Sequence, residues 1–174
     1  MGKRRLTEGT VSLIRDYLKA NMAQALADTR ADRVSANDKN VFTTTEPPNS
    51  YFIYPRAKGY RPPAVFVIAP TFDKKKERGA NFIDATVRVN VSILVEDRDR
   101  ETLQIKSWRY QSALDELLDQ YQLTSSDGKI KLTIIVNSIS ETPMYTDAKE
   151  EDSPDAVFRK ETVLECDVEH YENF

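Results

Sequence analysis

The stretch 83-IDATVRVNVSILV-95 decides the fold, because apolar and polar residues alternate along it with a period of two. Ile83 and Val87 fall on one side of the pattern, while Asp84 and Arg88 fall on the other. Such alternation is typical of a β-strand with one face on a core and the other on solvent or a partner. At ~3.3 Å per residue the stretch spans about 40 Å, so it predicts an unusually long strand.

Shorter segments on both sides of this stretch also predict strands. Residues 51–54 are aromatic, residues 64–69 form an apolar run between prolines, and residues 130–136 and 158–168 alternate like the long strand. Neighbouring strands joined by short connections favour antiparallel pairing.

Two further segments carry apolar residues at spacings of three and four, which predicts amphipathic helices. One lies near 10–27 and the other near 99–122, where Asp99 is a good N-cap and Glu101 lies in the first turn. The order of the elements predicts an α+β fold, in which two helices pack on one face of an antiparallel sheet.

The chain of 174 residues has the length of one domain. We expect residues 1–174 to form a single α+β domain with extended loops at 28–50, 70–81 and 146–155. The basic start of the chain is followed by polar residues, which excludes a signal peptide there and predicts a disordered tail. No segment approaches the ~20 apolar residues of a membrane span, so we expect no membrane partner.

The composition excludes several functional classes. A net charge of -3, from 25 basic and 28 acidic residues, argues against a dedicated duplex-binding protein. One cysteine and one histidine exclude a disulfide within the chain and the usual zinc sites. Cys166 and His170 lie about 13 Å apart on one face of a predicted strand, which is too far for a catalytic dyad. We expect Cys166 to be a thiol of the core and His170 to be a strand-end residue. No standard catalytic motif is present, so we expect no enzyme and no cofactor.

A basic segment near the middle of the chain is a candidate contact site. Lys74, Lys75, Lys76 and Arg78 lie at the predicted turn between two strands, where they would contact nucleic-acid phosphates or an acidic protein ring. A solvated hairpin end is the plainer interpretation. We expect these four residues to contact a neighbouring subunit or ring.

The last predicted strand carries an acidic side. Its alternation places Glu161, Glu165, Asp167 and Glu169 together, opposite the apolar residues. An ordinary solvated sheet face would account for this pattern. The functional hypothesis is an acidic surface in the lumen of a ring, which would repel DNA phosphates instead of holding them.

Three segments, residues 11–18, 85–96 and 108–114, together with the closing pair of strands, cover the larger part of the chain. With the chain length and the order of elements, they resemble the tail terminator (tail completion) proteins of long-tailed bacteriophages. The loops at 28–50 and 146–155 depart from that pattern, which leaves a stopper or tube protein of the same neck region as an alternative.

The resemblance implies a structural protein of the virion tail or neck, assembled in the host cytoplasm. Small α+β protomers would form a homo-oligomeric ring, six-fold in the family, that caps the tail tube. Its partners would be further copies of itself, the tail tube protein, and the head connector or stopper protein. DNA would pass through the ring without specific binding.

A phage-type, magnesium-dependent nuclease is the rival hypothesis from another class. Asp97, Asp99 and Glu101 would gather the metal ion. The same spacing fits the start of a helix, where acidic residues interact favourably with the helix dipole.

Overall fold

The structure is a computed structural model that describes residues 2–37, 45–54, 59–78, 81–146 and 156–173, excluding the side chains of residues 2–5 and 71–78. Two helices and seven strands follow one another in these residues. In chain order they are α1 (Gly2–Ser35), β1 (Ser50–Phe52), β2 (Ala64–Arg78), β3 (Phe82–Asp97), α2 (Arg100–Leu118), β4 (Gln122–Thr124), β5 (Ile130–Glu141), β6 (Tyr145–Thr146) and β7 (Phe158–Asn173).

All strands of the described residues belong to one sheet with the spatial order β1-β2-β3-β7-β5-β4, and β6 also pairs with β7. Each neighbouring pair is antiparallel except β1 and β2, which are parallel over three residues. The predicted α+β class with a mostly antiparallel sheet is confirmed. The last strand of the sequence lies in the centre of the sheet.

The centre of the sheet is the ladder between β3 and β7, each 16 residues long. The ladder runs without a shift from Phe82 opposite Asn173 to Asp97 opposite Phe158. Alternate residues of both strands are buried, as the period of two predicts. The ladder therefore gives the sheet one continuous apolar face.

Both helices pack on that apolar face, as predicted. Leu6, Ile14, Leu18 and Met22 of α1 are fully buried against the sheet and against α2, which contributes its own buried stripe. That stripe consists of Leu103, Tyr110, Ala113, Leu114 and Leu118. A spacing of three and four residues keeps these side chains on one side of each helix, and the core lies between the two layers.

Helix α1 is longer at both ends than the predicted 10–27. It begins at Gly2 and buries Leu6 completely, so the expectation of a disordered N-terminal tail is wrong. It continues to Ser35 through a charged segment that is mostly exposed, and Asn37 then turns left-handed at φ 52°. The predicted loop 28–50 is therefore helical as far as Ser35, and its residues 38–44 lie outside the described residues.

Strand β2 is also longer than predicted, because residues 71, 72 and 76–78 pair with β3 and the strand continues to Arg78; residues 79 and 80 of the predicted loop 70–81 lie outside the described residues. Two irregularities interrupt the register, between Ile68 and Thr71 and between Phe72 and Lys76. Charged residues have low strand propensity, but pairing with a long neighbouring strand overrides it. Of the third predicted loop, 146–155, only Thr146 is described; it belongs to β6 and pairs with Phe158 of β7.

Helix α2 begins where the sequence predicts and ends earlier. The Asp99 side chain caps it by accepting a hydrogen bond from the Thr102 backbone N–H at 2.7 Å. The helix ends at Leu118 instead of near 122, because Gln120 adopts a left-handed conformation with φ 54° and the chain enters β4.

No helix in the described ranges is both long enough and apolar enough to cross a membrane. Helix α1 has the length, but charged residues such as Arg15, Asp16 and Lys19 recur along it.

A buried polar cluster fixes α2 to the sheet. The Lys160 Nζ atom donates to Glu141 Oε2 at 2.7 Å and to Gln104 Oε1 at 2.6 Å. Ser107 Oγ donates to Glu141 Oε1 at 3.0 Å and lies 2.9 Å from the Thr162 hydroxyl. Burial raises the pKa of Glu141, but the bonds from Lys160 and Ser107 outweigh it and leave the pKa below its usual range. The cluster joins α2, β5 and β7 at one point.

A second buried cluster fixes α1 to the end of β7. His170 lies near the end of β7, as expected, but it is fully buried, and its Nδ1 lies 2.8 Å from Thr10 Oγ. Thr10 Oγ donates to the Leu6 carbonyl at 2.8 Å, so Nδ1 carries the proton and donates to Thr10. The Nε2 atom has no hydrogen-bond partner in the described residues and lies 3.6 Å from Glu172 Oε2.

We predict that Glu141→Ala lowers the free energy of unfolding by about 2 kcal/mol, because it leaves the buried Lys160 ammonium without its carboxylate. The Lys160 side chain is 7% exposed, whereas both partners of the Arg159–Glu96 pair are about one-third exposed. The matched control Glu96→Ala should therefore cost less than about 1 kcal/mol. Urea unfolding curves of the two variants measure both values, and equal losses would contradict the role of the buried cluster.

We predict that stability falls as the pH drops below the ordinary histidine pKa of about 6.5. Burial lowers the pKa of His170, and the opposing effects of the Glu172 and Asp84 carboxylates do not outweigh it. The unfolded chain then binds a proton at a pH where the folded protein does not, so acid favours unfolding.

The free energy of unfolding between about pH 7.5 and 5.5 tests this effect, whose slope is at most about 1.4 kcal/mol per pH unit for one proton. The His170→Gln variant should be less stable but should lack that slope. An identical pH dependence in the variant and the native protein would contradict the prediction.

Candidate functional site

The acidic candidate residues lie on the face of the sheet opposite the helices, which we call the outer face. Alternate residues of β3, β7 and β5 form it; Thr86 and Thr133, for example, flank Glu169 from the two neighbouring strands. Glu161, Glu165, Asp167 and Glu169 all belong to it, because the residues between them are buried on the side of the helices. The structure therefore brings the four carboxylates together on the central strand.

The acidic residues of the outer face are interleaved with basic and polar groups of neighbouring strands. Asp167 Oδ1 lies 3.6 Å from Arg88 Nε, and Glu165 Oε2 accepts a hydrogen bond from Ser138 at 3.1 Å. Exposure also varies, since Glu165 and Glu169 are exposed whereas Glu161 and Asp167 are half-buried. Of the four carboxylates of β7, Glu165 and Glu169 are therefore the exposed ones.

A shallow groove of about 580 Å³ crosses one end of the outer face. Asp84, Lys131, Glu169 and Tyr171 line it with both signs of charge, and the Tyr171 ring stacks on Phe82 with centroids 6.1 Å apart. Such a groove can exchange hydrogen bonds and ion pairs with a side chain of a partner. Of these four residues, the sequence analysis singled out only Glu169, because the proximity of the others to it depends on the spatial order of the strands.

The other end of the outer face is apolar. Phe66 and Leu94 are buried there, and Phe52 stacks on Phe66 with ring centroids 5.4 Å apart. Tyr60 meets the same ring edge-on at 5.5 Å. This small cluster is a second core that covers β1 and the start of β2.

The basic candidate residues belong to the far half of β2. Lys76 lies opposite Ala85 and Arg78 lies opposite Ile83, so their backbones extend the sheet and do not form the predicted turn. Lys74 and Lys75 lie on the same strand. The side chains of these four residues lie outside what the structure describes, and their contacts stay a prediction.

The three carboxylates of the nuclease hypothesis are engaged differently from metal ligands. Asp97 Oδ2 accepts from Lys106 Nζ at 2.6 Å and its Oδ1 accepts from the Asp99 backbone N–H at 2.9 Å, while Asp99 caps α2. Burial raises the pKa of Asp97, but these bonds lower it below the usual range, and the Thr102 backbone bond lowers the pKa of Asp99. Glu101 is exposed. Among the described residues, no three His, Cys, Asp or Glu side chains form a group that could hold a metal ion.

Cys166 and His170 lie on the helix side of β7, away from the outer face. Cys166 is fully buried, as predicted, and burial raises the pKa of its thiol to about 12. A protonated thiol in the core is a poor nucleophile. Thr10 and His170 are likewise fully buried, so their hydrogen bond serves packing and is closed to a substrate.

No protein-family model matches the chain, and no curated protein matches it. Among solved structures, a chain in the virion of a native gene transfer agent particle is similar over 80% of this chain and 91% of its own length. The two share 11% sequence identity and superpose with a TM-score of 0.31. A similarity at that level carries no argument about function, which is therefore inferred from the residues of this chain.

Proposed function

We propose that this protein is a structural, non-catalytic component of the neck of a long-tailed phage. Six copies form a ring that caps the tail tube and joins it to the head connector. The observation that carries the proposal is the outer face: four carboxylates stand together on the central strand of a long sheet whose other side is filled by both helices.

The outer face suits the wall of a channel through which DNA passes. In a ring that places this face inward, Glu165 and Glu169 of every subunit would point into the channel. Their negative charge repels phosphates, so the DNA slides instead of binding. The Arg88–Asp167 pair lies within one subunit and does not cancel the charge of those two exposed glutamates.

The partners of the ring are proteins. Its subunits contact one another, the tail tube protein on one side and the head connector or stopper protein on the other. We assign the subunit or ring contacts to the basic segment of Lys74, Lys75, Lys76 and Arg78, which lies on an edge region of the sheet. The particle assembles in the host cytoplasm, and the ring remains in the tail or neck of the virion.

We predict that the purified protein forms rings and does not cut DNA. Light scattering at increasing protein concentration should give the mass of six subunits, and negative-stain images should show rings with a central channel. Incubation of the same sample with supercoiled plasmid and Mg²⁺ should leave the plasmid intact. A monomer that nicks the plasmid would support the nuclease alternative and contradict the proposal.

We predict that the double variant Glu165→Lys/Glu169→Lys forms rings that retain duplex DNA at low salt, because the channel wall then attracts phosphates. Retention should weaken steeply as salt rises. The matched control is Glu101→Lys/Glu116→Lys, which makes the same charge change at exposed positions of α2. Equal DNA retention by both variants would show that the outer face does not line the channel.

Location in particles separates a terminator from a tube or stopper protein. Gold labelling of a tagged copy should mark one position at the junction of head and tail. Labelling along the whole tail would instead identify a tube protein.

A further inference from the structure

The sheet has an open edge on β5. Strand β4 pairs with β5 only from Lys131 to Thr133, and the Ile134 backbone N–H adds one bond to the Tyr121 carbonyl at 2.9 Å. Within the described ranges, no strand pairs with the remaining segment Ile135–Glu141 on the side away from β7. Backbone groups along that segment are therefore free to pair with another strand.

The open edge of β5 lacks most of the features that natural proteins use to block such edges. Its sequence from residue 135 to 141 is IVNSISE, which contains no proline and no lysine. Ile135 and Ile139 are 38% and 36% exposed. A bulge between Val136 and Ser138 interrupts the register with β7, so a partner strand would pair in short runs.

The opposite end of the sheet has a second open edge, on β2. Strand β1 covers β2 only from Ala64 to Phe66, and among the described residues no strand pairs with Val67–Arg78 on that side. This edge is basic by sequence and contains Pro70, which lies at a register shift with β3; strands accept proline at such irregularities as well as at edges.

The two open edges overlap in height across the sheet. Val67 of β2 is level with Val91, Leu164 and finally Ile139 of β5, and residues 67–71 of β2 are level with residues 135–139 of β5. In a ring whose axis runs along the strands, subunits are related by rotation alone, so parts at equal height meet. Residues 135–139 of one subunit would therefore meet residues 67–71 of the next.

The strand directions also fit. Strands β2 and β3, β3 and β7, and β7 and β5 are each antiparallel, so β2 and β5 run in opposite directions within one subunit. Rotation about a ring axis preserves the direction of each strand relative to that axis. The β2 strand of the next subunit is therefore antiparallel to β5, and the outer faces of both subunits stay on the same side.

We propose that β5 of one copy pairs antiparallel with β2 of the next copy and continues the sheet around the ring. This inference rests on the proposed ring and identifies its subunit contact. Residues 76–78 of β2 are level with the part of β5 that β4 covers, so the paired run is limited to residues 67–71 and 135–139. The second copy is favoured over an unrelated strand because the two edges match in height and direction.

Proline substitution at Ile139 tests the pairing. The Thr142 backbone N–H donates a hydrogen bond to the Glu161 carbonyl. The N–H groups of β5 residues opposite odd-numbered residues of β7 therefore point to β7. Ile139 lies between two such residues, so its N–H points to the open edge. Ile139→Pro removes an edge N–H and leaves the bonds to β7 in place. Ile139→Ala is the matched control, because it removes the same side chain and keeps the N–H.

We expect Ile139→Ala to form rings and Ile139→Pro to stay monomeric, with native circular dichroism in both. If Ile139→Pro formed rings as readily as the native protein does, the edge pairing would be overturned, while the proposed ring would stand. A native protein that stays monomeric at every concentration would overturn both.

Cross-linking tests the same pairing without proline and covers the case in which Ile139→Pro does not fold. Ile68 and Ser138 are level in the sheet and lie on the outer face. We mix two chains of different mass, one with Ile68→Cys and the other with Ser138→Cys, and add a short bis-maleimide. The expected product joins one chain of each kind. A product made only of two Ser138→Cys chains would show two-fold β5–β5 pairing and overturn the proposal.

Discussion

The structure depends on one interaction, the backbone hydrogen-bond ladder between β3 and β7. It runs along the whole 16-residue length of both strands without a shift, whereas β2 and β5 on its two sides contain irregularities in their registers. The ladder fixes which side chains point to the helices and which form the outer face, because a slip of one residue would exchange the two sets. The core and the carboxylate cluster are two consequences of the same register.

The helices are held to this ladder by apolar packing and by two buried polar clusters. Lys160 ties α2 to β5 and β7 through Glu141, and His170 ties α1 to the end of β7 through Thr10. Apolar contacts are non-directional, whereas these hydrogen bonds are satisfied in only one position of each helix. Both clusters include a residue of β7, so the central strand also sets the position of the helical layer.

The sequence predicts the parts of the fold whose periodicity is local. The alternation around Val87 predicts β3, and the N-cap at Asp99 predicts the start of α2. The far half of β2 is missed because Lys74 to Lys76 have no strand pattern of their own; pairing of Phe72 and Lys76 with β3 carries the strand past them. The common side of the four β7 carboxylates follows from alternation, but the groove around Tyr171 requires the strand order, which is set by contacts distant in sequence.

The central position of β7 has a consequence for biosynthesis. Every other described strand precedes β7 in the chain, yet β3 and β5 meet only through it. During translation the β2–β3 hairpin emerges early, and the other edge of β3 stays unpaired until β7 arrives, a long delay of the kind that high contact order imposes. The sheet is therefore completed only after every other described strand has been made.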